Sequence, residues 1–262
     1  MIALERFGDV TRVRLTSLGS RLAGMDVSAY LVRGVLVDTG FPHARHVLTR
    51  FLEATPLEGA LVTHWHEDHA GNAPLLAARG IPLGMHDETA KRLRGAEPIR
   101  LYRRVVWGTT PRLDASVQRF AHPVLRFVHT PGHSPDHQVV WDADTGTIFS
   151  GDLWLGVRSR VMHESENPRL IIDSLRTVLA LGPQRMFDAH RGEVRDPVDA
   201  LRAKIAWMEE TLGTIDARLD EGWSDRAILE SVLGGDETVA YLSFGEYARM
   251  NFVRAARRSR CA

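Results

Sequence analysis

The sequence predicts a mixed fold of α-helices and β-strands, on two observations. Short apolar runs recur along the chain and several end in a polar residue, which is typical of strands in a buried sheet. Other segments repeat apolar residues every three or four positions, as on one face of a helix. With 262 residues, 44% of them hydrophobic, the chain can bury a full core as one large domain.

The elements can be followed in order along the chain. Residues 10–18 and 27–37 alternate or run apolar, which predicts strands with a hairpin turn at Arg33-Gly34. Pro42 is typical of a helix start, and the apolar spacing that follows predicts a helix over residues 43–54. Strand, helix and strand then recur as far as residues 139–142. Residues 170–181 and 199–219 predict amphipathic helices.

The chain beyond about residue 196 predicts helices only. Ser224-Asp225 indicates a helix start before residues 227–233, and Gly234-Gly235 ends that helix. We therefore divide the chain into a first part, residues 1–195, and a C-terminal helical region, residues 196–262.

Composition narrows the classes of partner. The 33 basic and 33 acidic residues give a formal net charge of zero, so no overall field attracts nucleic acid or a membrane surface. The sequence has no apolar leader near its start, no run of 18 apolar residues and only one cysteine. These observations predict a cytoplasmic protein without disulfides. They leave the oligomeric state open.

One six-residue segment holds the densest group of metal-binding side chains. Residues 64–69 read His-Trp-His-Glu-Asp-His and directly follow the apolar run 59–63, which places them at a strand end. Imidazole nitrogens and neighbouring carboxylates suit zinc and other first-row metals. Without a metal, a buried cluster of this kind would hold unpaired polar groups at a cost in stability. The segment therefore predicts a metal site.

Four further segments place a polar residue after an apolar run. They are Asp38-Thr39-Gly40, the Pro/Gly turn that carries His133, the strand end at Asp152 and the strand end at His190. Together with residues 64–69 they resemble the metallo-β-lactamase superfamily. The family's HxHxDH motif is matched by His64, His66, Asp68 and His69, and the remaining segments follow in the family's order over residues 35–192.

The resemblance implies an α+β fold, a four-layer αββα sandwich, with two divalent metal ions. Zinc comes first among the metals, with manganese or iron as alternatives. The implied ligands are His64, His66 and His133 for the first ion, Asp68, His69 and His190 for the second, and Asp152 bridging both. Asp68 would also be catalytic, by passing a proton to the leaving group. Asp38 would orient a ligand or its loop.

The implied activity is hydrolysis of a small ester, thioester or lactone by a metal-bound hydroxide, as in glyoxalase II-like members. Asp152 stands where family β-lactamases have Cys or Ser, which disfavours antibiotic hydrolysis. Cys261 lies next to the C-terminus and is not expected to be a ligand.

Three alternatives share the fold. A phosphodiesterase or lactamase-like endoribonuclease is weakened by the zero net charge, because RNA binding usually requires a basic surface. An iron-dependent persulfide dioxygenase needs one metal, so the complete second ligand set counts against it. A non-catalytic binding protein is disfavoured because no ligand is missing.

Residues 92–113 mix arginines with aromatic residues outside the shared motifs. They predict either a lid that receives a small anionic substrate or a solvated helical surface. Arg103 and Arg104 are candidate substrate contacts, since guanidinium groups pair well with carboxylate or phosphate. Trp154 and His163 are two further candidates, because both follow Asp152 closely in the chain.

Overall fold

The protein is described by a computed structural model over residues 1–95, 98–114 and 116–260. The predicted α+β architecture is confirmed. The prediction for Cys261 concerns a residue outside these ranges. Within them, no helix combines the length and apolar character needed to cross a bilayer.

Two sheets form the centre of the molecule. The first has six strands in sequence order: β1 (Ile2–Phe7), β2 (Val10–Leu15), β3 (Val27–Val32), β4 (Val35–Val37), β5 (Gly59–Leu61) and β6 (Leu83–Gly84). The second has the order β12 (Gly192–Val194), β11 (Arg185–Asp188), β9 (Thr147–Phe149), β8 (Gln138–Asp142) and β7 (Leu125–His129). Strands β4, β5 and β6 are parallel, as are β9 and β11, so their carboxyl ends can present side chains at one edge.

Helices cover the outer faces of both sheets. The helices of the described residues are α1 (Leu18–Leu22), α2 (Arg45–Ala54), α3 (Ala73–Ala78), α4 (Asp87–Gly95), α5 (Leu101–Val106), α6 (Pro168–Ala180), α7 (Pro197–Asp220), α8 (Asp225–Ile228), α9 (Thr238–Leu242) and α10 (Met250–Ser259). Helices α2 to α5 pack with the first sheet, and α6, α7, α8 and α10 pack with the second. Between the sheets lies an apolar layer that includes Tyr30, Phe149 and Phe187. The result is the four-layer sandwich.

The local signals in the first third behave as predicted. Arg33 and Gly34 both have positive φ, 50° and 73°, the conformation that a two-residue hairpin between β3 and β4 requires. Pro42 opens a short 3-10 turn, Pro42–Ala44, which leads into α2. The helix buries Leu48, Phe51 and Leu52 on one face.

The prediction of helices only beyond residue 196 is wrong in one place. Strand β13 (Tyr247–Ala248) pairs antiparallel with β10 (Met162–His163) in a separate two-stranded sheet. Two residues are too few to show strand periodicity, and their partner lies far away in the chain. The predicted helix over residues 227–233 is present as α8 followed by a π-helical turn, Leu229–Leu233, which ends at the left-handed Gly234.

Candidate metal centre

The candidate ligands meet at one edge of the sandwich because they follow strand ends. Residues 64–69 follow β5, Asp152 follows β9 and His190 follows β11. His133 lies in the turn between β7 and β8, where Gly132 has a φ of 131° and a Cβ would lie 2.5 Å from Ile171 N. Glycine is therefore required next to this histidine.

The first group of donors consists of three imidazoles and one carboxylate. His66 Nδ1 lies 3.0 Å from His64 Nε2 and 2.9 Å from His133 Nε2. Asp152 Oδ2 lies 3.4 Å from His133 Nε2. All four donor atoms lie within 4.8 Å of one another.

The second group shares Asp152 with the first. Asp152 Oδ1 lies 3.1 Å from His69 Nε2 and 3.3 Å from His190 Nε2. Asp68 Oδ2 lies 3.8 Å from His69 Nε2 and 3.7 Å from His190 Nε2. The two oxygens of Asp152 thus face different groups, so this carboxylate is placed to serve both.

The donor set fits divalent metal ions. Zinc–nitrogen bonds of 2.0–2.1 Å in a tetrahedral site place neighbouring ligand atoms roughly 3.3 Å apart, close to the spacings within both groups. His69 Nε2 and Asp152 Oδ1 are buried and form no hydrogen bond with the described residues. Buried polar atoms are rarely left unpaired, and a metal ion would satisfy both.

Most of the imidazoles are oriented through their second nitrogen. Asp38 Oδ2 lies 2.8 Å from His69 Nδ1, and Glu166 Oε1 lies 2.8 Å from His133 Nδ1. His190 Nδ1 lies 2.7 Å from the carbonyl oxygen of Asp26. These acceptors keep the proton on Nδ1 and leave Nε2 free for a metal.

Asp38, which follows β4, also forms hydrogen bonds with Thr63, the residue directly before the HxHxDH turn. Its Oδ1 accepts hydrogen bonds from the backbone N–H of Thr63 at 2.8 Å and from Thr63 Oγ1 at 3.0 Å. Thr63 Oγ1 in turn lies 3.1 Å from His64 Nδ1. Asp38 thus contacts His69 of the second group directly and is linked to His64 of the first group through Thr63.

The electrostatics differ between the two groups. Burial, followed by the neighbouring imidazoles, lowers the pKa of His64 and of His66 well below the usual range. His64 and His66 therefore offer neutral nitrogen donors. Burial also lowers the pKa of His190, but the neighbouring carboxylates, Asp152 first and then Asp68 and Asp188, together outweigh it and raise that pKa to about 9. In His133, as in His190, burial lowers the pKa, but the neighbouring carboxylates, Glu166 first, outweigh it and raise the pKa above the usual value.

His137 supports the loop that carries Asp152. Its Nε2 accepts a hydrogen bond from Asp152 N at 3.2 Å, and its Nδ1 lies 2.9 Å from Thr130 Oγ1. Burial and then the charge of His133 lower its pKa to about 3, so it stays neutral. Gly151, with a φ of 49°, leaves room for this ring.

The four candidate substrate residues lie in different surroundings. Arg103 is not a free guanidinium, because it is buried and paired with Glu67. Trp154 packs in the core beside the second sheet and donates its Nε1–H to Ala200 O at 3.3 Å. Arg104 is exposed on α5. His163 alone lies beside a donor, with its ring centroid 5.9 Å from that of His66.

Glu67, Glu166 and Glu246 were not singled out from the sequence, although each contacts the site or its support. Glu67 lies inside the HxHxDH segment and could have been noticed there as a carboxylate between two ligands. Glu166 and Glu246 carry no sequence signal, because only the fold brings them to His133 and Arg103.

A comparison with protein families agrees with this geometry. Residues 22–206 match the family model of the metallo-beta-lactamase superfamily. The chain belongs to this superfamily. The matched region contains both donor groups.

Two relatives illustrate the superfamily's range. The chain is 28% identical over 223 residues to the Beta-lactamase-like protein 2 homolog of Drosophila melanogaster, covering 73% of this chain and 70% of that protein. It is 30% identical over 166 residues to an atrochrysone carboxyl ACP thioesterase of Aspergillus fumigatus. The latter match covers 62% of this chain, which spans only about a third (36%) of the thioesterase's length.

Solved structures show the same fold. The metallo-beta-lactamase family protein TTHA1429 from Thermus thermophilus superposes with a TM-score of 0.68 at 18% identity, covering 95% of this chain and 91% of that one. TTHA1623 in a di-iron-bound form superposes with a TM-score of 0.54 at 28% identity, covering 67% of this chain and 93% of that one.

Proposed function

We propose that this superfamily member is a dinuclear metal-dependent hydrolase of a small ester, thioester or lactone. The observation that carries the proposal is the pair of donor groups that share Asp152, with its two oxygens directed at different groups. A mononuclear function would not require the second group of Asp68, His69 and His190.

The residues divide into two roles. His64, His66 and His133 would hold one ion, Asp68, His69 and His190 would hold the other, and Asp152 would contact both. When bound, two divalent ions make water acidic enough to act as a nucleophile near neutral pH and stabilise negative charge on the substrate oxygen. Asp68 lies at the edge of the second group, where its carboxylate can accept the proton that the attacking water releases and pass it to the leaving group.

Zinc remains the first choice of metal, with iron and manganese as alternatives. Imidazole nitrogen suits zinc and iron alike, and carboxylate oxygen suits manganese as well. The di-iron form of TTHA1623, at 28% identity, gives iron specific support.

A thioester is the first substrate class to examine. The Aspergillus fumigatus relative is named a thioesterase, and the match to it covers 62% of the present chain. Arg103 no longer supports the expectation of an anionic substrate, because its guanidinium is already paired with Glu67. Arg104 and His163 remain the proposed substrate contacts.

A substrate panel tests the proposal. Full-length protein loaded with zinc or iron is assayed against an acyl thioester, a lactone, an aryl ester and a phosphodiester. We expect turnover of at least one carbonyl substrate, lost after chelation and restored by metal. Turnover of the phosphodiester alone would instead establish the endoribonuclease-like alternative.

A further inference from the structure

His66 differs from the other imidazoles of the candidate metal centre in how its ring is held. The other four direct Nε2 inward, and their Nδ1 atoms lie against Thr63, Asp38, Glu166 and the Asp26 carbonyl. His66 instead directs Nδ1 inward, and its buried Nε2 has no hydrogen-bond partner among the described residues. Since a ligating histidine is normally oriented through its second nitrogen, another feature must fix this ring.

Arg103 contacts the residues on both sides of His66. Its Nε donates to Glu67 Oε1 at 2.6 Å, and a second guanidinium nitrogen donates to Glu67 Oε2. The same guanidinium lies over the ring of Trp65, 5.3 Å from its centroid. Two parallel N–H···O bonds fix orientation as well as distance, so the Glu67 side chain has little freedom.

Both charges of this pair are buried, and the pair has a second anchor. The side chains of Arg103 and Glu67 are 4% and 3% exposed. Another nitrogen of Arg103 lies 3.4 Å from Glu246 Oε1, just before β13. If the two side chains of a buried ion pair separate, each charge loses its partner, which costs much free energy. The pair is therefore held in a narrow range of geometries. Helix α5 therefore holds the HxHxDH turn rigidly from outside.

We propose that Arg103 is a positioning residue for His66. By holding Trp65 and Glu67, it keeps His66 Nδ1 at 3.0 Å from His64 Nε2 and 2.9 Å from His133 Nε2 without a hydrogen bond to the ring. This role replaces the predicted substrate contact for Arg103. The inference rests on the proposed function, because it assumes that the three imidazoles hold a metal ion.

The test compares metal binding by Arg103→Lys and Glu67→Gln with wild type. Lysine keeps the charge but cannot make the two-point contact, and glutamine keeps the shape of Glu67 but not its charge. We expect both variants to fold and to bind Zn²⁺ about 10- to 100-fold more weakly in competition with a chromogenic chelator. The visible spectrum of the Co²⁺-loaded variants should also change, which general loosening of the fold would not produce.

Arg33→Lys is the matched control. Arg33 makes a comparable two-point contact with the buried Asp142, at 2.8 and 3.4 Å, at the end of β4 opposite Asp38. This variant should retain wild-type Zn²⁺ affinity and Co²⁺ spectrum. If it weakens binding as much as Arg103→Lys does, the inference is wrong.

Other outcomes separate the two proposals. If Arg103→Lys and Glu67→Gln are folded and match wild type in affinity and spectrum, Arg103 does not position His66, while the proposed function stands. If circular dichroism shows that neither variant folds, Arg103 serves the fold and the inference is again wrong. If wild-type protein binds no metal, the proposed function fails together with the inference.

Discussion

Single acceptor groups from distant parts of the chain determine how the donor histidines are presented. Asp38 reaches His69 from the end of β4, and the carbonyl of Asp26 reaches His190 from the segment before β3. Imidazoles oriented in advance lose little conformational freedom when a metal binds. The strength of metal binding should therefore depend on these acceptors as well as on the donors.

Asp38→Asn should weaken metal binding in the second donor group. An amide cannot replace the carboxylate as acceptor for both His69 Nδ1 and Thr63, so the ring loses its fixed orientation. Outer partners of this kind typically contribute about 10- to 100-fold in metal affinity. Chelator competition measures the effect, and thermal unfolding of the metal-free protein serves as the control for fold. Unchanged affinity would show that His69 needs no orienting carboxylate.

Asp68→Asn should lower kcat by roughly 10²–10⁴-fold if Asp68 passes a proton to the leaving group. The variant should retain its fold, because Asp68 belongs to none of the apolar clusters and asparagine has nearly the same shape. Steady-state kinetics on the best substrate of the panel measures the effect, with metal content determined on the same sample. A variant with full metal content and kcat within a few-fold of wild type would refute this role.

Helix α7 and the loop after Asp152 depend on one buried ammonium. Lys204 Nζ donates to the carbonyl oxygens of Trp154 and of Gly156, the latter at 3.0 Å. Burial lowers the pKa of Lys204 from 10.5 to about 8. Through Lys204, helix α7 holds the loop that follows Asp152. Burying the ammonium group without water costs free energy, which is why its pKa is lowered.

This cost predicts a pH-dependent stability difference between wild type and Lys204→Met. The folded pKa lies below the unfolded one, so the unfolded chain binds more protons between about pH 8 and 10.5. Across this window, stability relative to the variant should rise with pH, by about 3 kcal/mol for that difference in pKa. Denaturant unfolding at pH 7.5, 9 and 10.5 measures it. A stability difference independent of pH would contradict the assignment of a depressed pKa to Lys204.

Elements with strong local signals could be predicted from the sequence, and those defined by distant contacts could not. Pro42 and the apolar face of α2 determine that helix locally, as the turn at Arg33-Gly34 determines the hairpin. Strand β13 exists only because β10 pairs with it. For residues 92–113 the sequence predicts a lid or a solvated surface and does not decide between them. Their described part contains the end of α4 and all of α5, whose Arg103 is buried.

The candidate site divides in the same way. The candidate donor residues could be named because they lie in short motifs that resemble those of the metallo-β-lactamase superfamily. Their supporting partners could not, since Glu166 meets His133 and Glu246 meets Arg103 through tertiary contacts alone. The pairing of Arg103 with Glu67 is hidden for the same reason, because nothing in the chain near Arg103 indicates it.

At the scale of the whole molecule, the C-terminal region shares a core with the second sheet. Leu201 and Ile215 of α7 and Phe252 of α10 belong to the same buried cluster as Ile148 of β9 and Met186 of β11. The family match also continues past residue 195, to residue 206. The region therefore contributes to the buried core beside the second sheet.

Truncation after residue 195 should abolish stable folding. It would expose the faces of α6, β9 and β11 that α7 and α10 cover, and large apolar losses of this kind exceed the usual margin of stability of about 5–15 kcal/mol. Dye binding to exposed apolar surface and near-ultraviolet circular dichroism report the loss. A truncated protein with cooperative unfolding would show that residues 1–195 fold alone.

The central claim, that two donor groups share Asp152, is tested most directly by counting metal ions per chain. Protein loaded with Zn²⁺ and freed of excess is measured by elemental analysis as wild type, His190→Ala and His46→Ala, the last being an exposed histidine as control. The account predicts two ions for wild type and His46→Ala and about one for His190→Ala. A single ion in wild type, unchanged in His190→Ala, would contradict it.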